Sequence, residues 1–226
     1  MPTELPVTKK RSWLSHQWYQ LVRTTCMALL SITCGVRATG RKQIPKHGSC
    51  LLMANHASYY DVILLGIAQR RDVDFMARSG LFIPLLGPMI RSMGAFAIQR
   101  EGGGASGIKE TLKRLRQGAM VGLFPEGTRT RDGRMSPLKP GISNIARKAG
   151  CQIICAGIAG SFEAWPRSQP WPGSYPFHIH YSELISPEDL SKMTEAEAMD
   201  CLESRLRSAQ EVSESELRRL RHYSTY

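Results

Sequence analysis

The chain has 226 residues, which is enough for one sizeable hydrophobic core and too few for two independent domains. Hydrophobic residues make up 42% of it and charged residues 22%, a composition that excludes a wholly disordered chain. The formal net charge of +11 indicates an anionic partner: nucleic acid, an anionic membrane surface, or a phosphorylated or CoA-like substrate.

The basic charge is concentrated near the amino terminus, where residues 1–50 contain eight lysines and arginines against a single acid, Glu4. These basic residues flank one short hydrophobic segment, and a cationic side chain near anionic lipid contributes about 1 kcal/mol to binding. The arrangement therefore favours a membrane surface over a nucleic-acid groove. The eight residues are Lys9, Lys10, Arg11, Arg23, Arg37, Arg41, Lys42 and Lys46.

The first predicted elements follow a basic tail at residues 1–10. Residues 12–36 are predicted to form one or two helices, and their apolar run at 26–36 is shorter than the roughly 20 residues that span a bilayer. Trp13 and Trp18 lie among basic residues, which is typical of an amphipathic helix in the membrane interface. The alternative is a helix packed on the protein's own core.

From residue 49 onward, short apolar runs alternate with helical patterns. Strands separated by helices predict a single α/β domain, in which a mostly parallel sheet is flanked by helices. Residues 1–40 would be the basic tail and the membrane-interface helices, and residues 41–226 the α/β domain. The predicted strands are 49–54, 73–77, 94–99, 119–124, 152–158 and 177–181, and the predicted helices are 61–70, 107–117 and 142–149.

The carboxyl-terminal part of this domain is predicted to be helical. Ser186 and Pro187 form a helix start, and Thr194 with Glu197 forms a capping box. An apolar stripe then follows at helical spacing, and its expected role is packing, with a partner helix as the alternative. The stripe consists of Met199, Leu202, Leu206 and Ala209.

The six cysteines include no CxxC pair, and most of them lie in apolar surroundings. We expect reduced, buried thiols in a reducing compartment, and no structural zinc. They are Cys26, Cys34, Cys50, Cys151, Cys155 and Cys201.

The first candidate site directly follows the predicted strand 49–54. Ligand sites of open α/β sheets lie beyond the carboxyl ends of strands, which is where Asn55 and His56 are placed. His56 and Asp61 are five residues apart, so they meet only if His56 lies in a turn and Asp61 in the first turn of the next helix. Ser58 and Asp61 resemble a capping box, which supports this turn. Taken singly, Asp61 is also explained as a cap and His56 as a loop histidine.

The second candidate site is the segment Phe124-Pro-Glu-Gly-Thr-Arg-Thr-Arg131, which again follows a predicted strand. Gly127 allows close approach of the backbone to a ligand, Thr128 offers a hydroxyl, and Arg129 can make forked bonds to phosphate. Glu126 is expected to be ionised and paired with an arginine of this segment. The alternative is a charged surface turn.

Two further segments carry weaker signals. Residues 94–100 form a predicted strand that ends in Arg100, and a lone arginine there is not specific. His178 and His180 would face the same side of a strand, but no third ligand lies nearby in the sequence. We therefore predict no metal site.

Together, these segments resemble the glycerolipid acyltransferases, specifically the 1-acyl-sn-glycerol-3-phosphate acyltransferase group. Residues 55–61 match the NHxSxxD block of that family, residues 124–129 its FPEGTR block, and residues 94–100 its second block. The blocks occur in the family's order, and the resemblance covers residues 49–167, roughly half of the chain. The first two blocks together are highly specific.

The resemblance implies transfer of a fatty acyl group from an acyl thioester to the sn-2 hydroxyl of 1-acyl-glycerol-3-phosphate, which makes phosphatidic acid. His56 would be the general base, since a histidine with a pKa near ~6.5 can take a proton at neutral pH. Asp61 would orient the ring and stabilise the imidazolium, as the carboxylate of a serine-protease triad does. The residues implied to position or bind the acceptor are Asn55, Ser58, Arg100, Glu126, Gly127, Thr128 and Arg129.

The same resemblance sets the expected partners. They are an acyl thioester donor (acyl-CoA or acyl-carrier protein), a lyso-lipid acceptor and an anionic membrane surface, with no nucleic acid and no particular oligomeric state implied. No cofactor or metal is expected for this chemistry. The expected location is the cytoplasmic face of a membrane, where the protein would be peripheral or monotopic.

Departures from the family pattern leave the acceptor open. Ala97 stands where a bulky residue is usual, Gln99 where an acid is frequent, and residues 153–157 lack the proline of the fourth block. One alternative is the same chemistry on another lysophospholipid or a lyso-aminolipid. Another is a non-enzymatic membrane or nucleic-acid binder, which has no need for His56 and Asp61 together with the arginine-bearing blocks.

Overall fold

The computed structural model describes residues 13–84, 86–98 and 105–223, so the predicted basic tail lies outside the described residues. Within these ranges, seven strands form one sheet. They are β1 (Val36–Thr39), β2 (Cys50–Ala54), β3 (Val73–Arg78), β4 (Phe96–Ile98), β5 (Met120–Leu123), β6 (Gln152–Ala159) and β7 (Phe177–Tyr181). The order across the sheet is β1-β7-β6-β2-β5-β3-β4, and every neighbouring pair is parallel except β6 with β7. The prediction of one α/β domain with a mostly parallel sheet is confirmed.

Helices cover both faces of this sheet. They are α1 (Trp13–Thr33), α2 (Tyr60–Ile67), α3 (Leu86–Ser92), α4 (Ala105–Arg116), α5 (Ile142–Ala149), α6 (Ser161–Ala164), α7 (Pro187–Lys192) and α8 (Glu195–Tyr223). One face of the sheet packs against α1 and α2, through Leu30 and Leu64 among others. The other face packs against α4, α5, α7 and α8, through residues such as Leu115 and Leu202.

The central strand β2 shows why the sequence contained unbroken apolar runs. All five of its side chains are buried. Leu52 and Ala54 face the α1–α2 layer, whereas Leu51 and Met53 face the other helical layer. A strand covered on both faces has no solvent side, so it carries no polar alternation.

Several boundaries differ from the predicted ones. Helix α2 ends at Ile67 rather than at residue 70, because the Gln69 side chain bonds to the backbone of Arg71 and forms a turn. The predicted helix at 107–117 begins at Ala105, and β4 begins at Phe96. Strand β1 and helix α3 were not predicted. A four-residue edge strand has too little pattern of its own, and β1 depends on its pairing with β7.

The carboxyl-terminal predictions are confirmed. The Ser186 hydroxyl accepts the backbone N–H of Asp189 at 3.0 Å at the start of α7. Thr194 and Glu197 form the reciprocal capping box, with bonds of 2.7 and 3.2 Å. The predicted apolar stripe packs on the sheet, and its members Leu202, Leu206 and Ala209 are buried.

The six cysteines are free, three buried and three half-buried. Burial raises the pKa of the Cys151 and Cys155 thiols to about 12. These thiols therefore behave as apolar core groups at neutral pH, and the reducing compartment stays a prediction.

Helix α1 has one face on the domain and one exposed apolar face. Tyr19 is buried and its hydroxyl accepts the backbone N–H of Val73 at 3.2 Å, while Leu30 enters the core. On the other side Leu21 is 60% and Ile32 85% exposed. Packing on the domain is therefore confirmed for one face of α1, and a membrane-interface role for the other face stays a prediction. No helix in the described ranges has the length and apolar character needed to cross a membrane.

Gly157 in β6 lies directly against the backbone of α8. A methyl group there would lie 2.1 Å from the Ala209 carbonyl, and backbone atoms cannot rotate aside. We expect Gly157→Ala to lower the free energy of unfolding by about 1–3 kcal/mol or more, because helix and sheet must separate. Urea denaturation measures this change.

Gly66→Ala is the matched control, because the nearest atoms to a methyl group at Gly66 are 3.9 Å away. Gly66 lies within α2, where alanine is favoured over glycine by up to about 1 kcal/mol. Equal losses of stability in the two variants would contradict the close packing of β6 and α8.

Candidate active site

The two loops that carry the candidate residues leave neighbouring parallel strands. In the β2–β5 pair, Met53 lies opposite Leu123, so both following segments start side by side at the carboxyl edge of the sheet. The connection from β2 leads across β5 to β3, whereas the connection from β5 leads back across β2 to β6. Ligand sites of open α/β sheets lie where successive connections diverge in this way.

His56 and Asp61 meet at the start of α2, as their spacing predicted. His56 Nδ1 lies 2.9 Å from Asp61 Oδ2. The same carboxylate oxygen accepts the backbone N–H groups of Ala57 at 2.6 Å and Ser58 at 2.7 Å. The bond to Ser58 is the predicted capping-box contact, and Asp61 is fully buried. Asp61 therefore caps the helix and orients the imidazole at the same time.

Asn55 and Ser58 are buried and bind other parts of the chain. The Asn55 amide donates to the carbonyl of Ile158 and accepts from its N–H, at 3.0 and 2.8 Å. The Ser58 hydroxyl donates to the carbonyl of Trp165 at 2.8 Å and accepts the N–H of Tyr60. These contacts favour a positioning role for Asn55 and Ser58 over the predicted contact with substrate.

The prediction that Glu126 pairs with an arginine is wrong. Instead, the Glu126 carboxylate accepts the backbone N–H groups of His56 and Ser136, each at 2.7 Å. The side chain is buried, and burial raises the pKa of Glu126, while the two backbone N–H groups oppose that rise. A buried carboxylate needs directed donors, and backbone N–H groups satisfy this need without an arginine. Glu126 thus ties together the loops that follow β2 and β5.

Both the backbone and the imidazole of His56 make contacts with the loop that follows β5. Its N–H donates to Glu126, and its carbonyl accepts the N–H of Thr130 at 2.9 Å. The imidazole stacks on the Phe124 ring, with centroids 3.9 Å apart and an angle of 16° between the planes. With Nδ1 bonded to Asp61 and the side chain 17% exposed, Nε2 is the ring nitrogen that can meet a substrate.

The remaining part of the second loop faces outward. Gly127 and Thr128 are exposed and Arg129 is half-buried, so all three stay candidates for contact with a phosphate. Gly127 has a φ of +71°, and the methylene chain of Lys139 lies over it, 3.3 Å from the position of a Cβ. Arg100, the remaining predicted site residue, lies outside the described residues.

The sequence reasoning missed several residues that build this site. Phe124 and Thr130 were part of the second candidate segment but were given no role, and Ser136 and Lys139 were not considered. Their contacts with the motif residues are made across loops, and no spacing in the sequence indicates them. Phe124 alone could have been found, since the residue after β5 must lie beside the residues after β2 once the two strands pair.

The two histidines of β7 are engaged elsewhere. His178 is buried, and its Nδ1 lies 3.1 Å from the Ser213 hydroxyl of α8. His180 Nδ1 lies 2.8 Å from the Thr39 hydroxyl of β1. In the part of the chain that the structure describes, no three His, Cys, Asp or Glu residues are grouped as a metal site requires.

The arrangement is suited to removing a proton from a hydroxyl. A carboxylate that accepts a hydrogen bond from Nδ1–H leaves the lone pair on Nε2, and it stabilises the imidazolium that forms when Nε2 is protonated. The nucleophile would be the substrate's own hydroxyl, because Ser58 is bonded to Trp165 and Tyr60 on the buried side of the turn.

Comparison with known proteins agrees with this chemistry. Residues 35–159, more than half of the chain, match the family model described as Acyltransferase. The chain belongs to the acyltransferase family. The match includes β2, β5 and both loops of the site.

Two curated relatives show what this acyltransferase is similar to. It is 29% identical over 185 residues to the 1-acyl-sn-glycerol-3-phosphate acyltransferase of Bacillus subtilis, and this alignment covers 79% of this chain and 92% of the relative. It is 30% identical over 144 residues to the lyso-ornithine lipid O-acyltransferase of Rhizobium meliloti, covering 62% of this chain and 46% of that protein.

A solved structure shares the fold of this acyltransferase. The crystal structure of the 1-acyl-sn-glycerophosphate acyltransferase from Thermotoga maritima superposes with a TM-score of 0.78. The superposition covers 91% of this chain and 83% of the other, at 22% sequence identity. The arrangement of helices around the sheet is therefore common to both proteins.

Asp61→Asn tests the candidate catalytic pair of His56 and Asp61. An asparagine oxygen can replace Oδ2, while its amide takes the place of Oδ1, which has no hydrogen-bond partner among the described residues. The fold is therefore retained, but the charge that stabilises the imidazolium is lost. We expect the acyl-transfer kcat to fall about 10²–10⁴-fold in a steady-state assay.

Asp189→Asn is the matched control, because Asp189 also follows a capping serine by three residues, at the exposed start of α7. Its kcat should equal that of the unmodified protein. If both variants lose activity equally, Asp61 is a cap and no more.

Proposed function

We propose that this acyltransferase moves a fatty acyl group from an acyl thioester to the sn-2 hydroxyl of 1-acyl-glycerol-3-phosphate, which produces phosphatidic acid. The observation that carries the proposal is the placement of a histidine–aspartate pair beside a glycine–arginine loop, on neighbouring strands. The Bacillus subtilis relative, which matches over most of both chains, bears the name of this activity.

In the first step, His56 Nε2 removes the proton of the acceptor hydroxyl while the oxygen attacks the thioester carbonyl carbon. An alcohol is a poor nucleophile at neutral pH, so a positioned base accelerates the reaction about 10²–10⁴-fold. The buried Asp61 carboxylate stabilises the imidazolium that results. The fixed ring, stacked on Phe124, supplies the geometry that this proton transfer needs.

In the second step, the tetrahedral intermediate collapses and the carbon–sulfur bond breaks. His56 returns the proton to the leaving thiolate, so a new ester and a free thiol are formed. No acyl-enzyme intermediate is involved, since the lipid hydroxyl takes the place that serine has in a protease triad. The proposed donors are acyl-CoA and acyl-carrier protein, and the chemistry requires no cofactor or metal.

The acceptor's phosphate would bind at the outward-facing part of the loop after β5. Gly127 allows close approach of the backbone, the Thr128 hydroxyl is a donor, and Arg129 offers a planar guanidinium. Arg100, by the resemblance of residues 94–100 to the family's second block, is proposed as a second cation for the phosphate.

The exposed apolar face of α1 is the proposed membrane contact, and the proposed location is peripheral, on the cytoplasmic face of a membrane. Arg23 is the only lysine, arginine or acid between residues 13 and 33, and its guanidinium bonds to the carbonyl of Gln69 on the domain. The outer face therefore has no charge to bring into lipid. Its exposed large apolar side chains are Leu14, Leu21, Leu29 and Ile32, with the half-exposed Trp18 beside them, whose indole N–H donates to the Ser92 hydroxyl of α3 at 2.8 Å.

An assay of the purified protein with labelled acyl-CoA and acyl-carrier protein, against a panel of lyso-lipids, tests the function. We expect the highest kcat/KM with 1-acyl-glycerol-3-phosphate, and at least a 100-fold lower kcat for His56→Ala, in line with the roughly 10²–10⁴-fold effect of a general base. Normal acylation by His56→Ala protein would contradict the mechanism.

The panel also contains lyso-ornithine lipid, because the Rhizobium meliloti relative is named for that acceptor. If the protein acylates lyso-ornithine lipid and leaves 1-acyl-glycerol-3-phosphate unchanged, the acceptor proposed here is wrong, while the roles of His56 and Asp61 stand.

A double substitution tests the membrane face. Leu21→Glu with Ile32→Glu should weaken sedimentation with phosphatidylglycerol vesicles at least tenfold, because each apolar side chain contributes about 1.5–3 kcal/mol when buried. The matched control, Ile108→Glu with Val212→Glu, changes two exposed apolar residues on the opposite helical layer and should bind as the unmodified protein does. Equal binding by both double variants would place the membrane contact elsewhere.

A further inference from the structure

A stacked pair of side chains joins the two loops of the active site. Tyr59 lies immediately before α2, and Arg129 lies in the loop that follows β5. The guanidinium carbon of Arg129 is 3.5 Å from the centroid of the Tyr59 ring. A cation over the face of a tyrosine is attracted by the ring's quadrupole, so this contact holds Arg129 in one place.

The Tyr59 ring is in turn held by a fixed neighbour. The rings of Tyr59 and Trp165 have their centroids 4.8 Å apart. Trp165 is anchored at two points, since its carbonyl accepts the Ser58 hydroxyl and its indole N–H donates to the carbonyl of Gln169. Tyr59 remains 45% exposed, which is too little burial for a core residue and enough for contact with a ligand.

The guanidinium has a donor left over. Arg129 Nη1 is buried, and it has no hydrogen-bond partner among the residues that the structure describes. Stacking occupies the face of the guanidinium and none of its N–H groups, so the edge remains available. A buried donor without an acceptor is unfavourable, and an anion at the edge of the guanidinium would remove this penalty.

We propose that Tyr59 is a positioning residue for the acceptor's phosphate: its ring holds the Arg129 guanidinium by stacking, so that the N–H edge meets the phosphate. This inference rests on the proposed function, because it assumes a phosphate-bearing acceptor. Tyr59 acts through Arg129 and takes no part in the proton transfer by His56. Its effect is therefore on binding of the acceptor rather than on the chemical step.

Tyr59→Ala should raise KM for 1-acyl-glycerol-3-phosphate and weaken the binding of glycerol 3-phosphate in calorimetry. The expected change is about 2- to 30-fold, the range for a cation–aromatic contact from exposed to desolvated. The kcat at saturating acceptor should change much less than KM. Tyr59→Phe keeps the ring face and should restore both values, which a role of the hydroxyl would not allow.

A second arm isolates the route through Arg129. Arg129→Ala should weaken the binding of glycerol 3-phosphate at least as much as Tyr59→Ala, and adding Tyr59→Ala to it should have little further effect. Two independent residues would instead give multiplied effects. Thermal unfolding of each variant checks that the fold is retained. If Tyr59→Ala unfolds at a lower temperature than the unmodified protein, Tyr59→Leu replaces it, because leucine keeps much of the bulk and removes the ring.

The outcomes separate the two proposals. The stacking proposal is overturned if the Tyr59→Ala variant binds glycerol 3-phosphate as well as the unmodified protein does. It is also overturned if the losses of affinity caused by Tyr59→Ala and Arg129→Ala multiply in the double variant. Failure to bind glycerol 3-phosphate at all also overturns it. Failure to acylate 1-acyl-glycerol-3-phosphate, with glycerol 3-phosphate still bound and still dependent on Tyr59, overturns the proposed function and leaves the phosphate site in place.

Discussion

The buried carboxylate of Glu126 connects two loops whose motif residues are 70 positions apart in the sequence. One of its oxygens accepts the N–H of His56 and the other the N–H of Ser136. Because β2 and β5 are parallel neighbours, these groups start within reach of each other, and the carboxylate fixes their distance. The position of the imidazole, its stacking on Phe124 and the placement of the loop after β5 all depend on this link. A glutamate is suited to it, because one side chain offers two acceptors to two separate backbones.

Two buried carboxylates with different surroundings bond to His56, Asp61 at the imidazole and Glu126 at the backbone N–H. Asp61 concentrates three donors on one oxygen, whereas Glu126 divides its two bonds between two loops. Burial raises the pKa of Glu126, and interaction with His56 and the backbone donors counteracts this. In the proposed transition state, the Asp61 carboxylate bonded to Nδ1 stabilises the imidazolium. The carboxylate that caps α2 thus also serves the proposed chemistry.

The two faces of α1 explain why its sequence was ambiguous. Tyr19 and Leu30 pack on the domain, while Leu21 and Ile32 are exposed on the other side. A helix that is apolar on two sides gives a weak periodic signal, because both stripes contribute and few polar positions remain between them. The choice between a core helix and a membrane-interface helix cannot be made from such a pattern. Contacts with Val73 and Gln69 identify the face of α1 that packs on the domain, and the opposite side of the helix is the exposed face.

The sequence by itself determined the α/β class, the strand–turn–helix at His56 and Asp61, and the helix caps at the carboxyl terminus. Each of these depends on residues within a few positions of one another, where spacing and capping chemistry decide the structure. The tertiary structure alone decided that Glu126 binds backbone rather than arginine, that Asn55 bonds to β6, and that Arg129 stacks on Tyr59. These contacts arise from the order β6-β2-β5, which brings distant loops together at one edge of the sheet. No local pattern encodes that order, because it depends on which strands bury their apolar surfaces together.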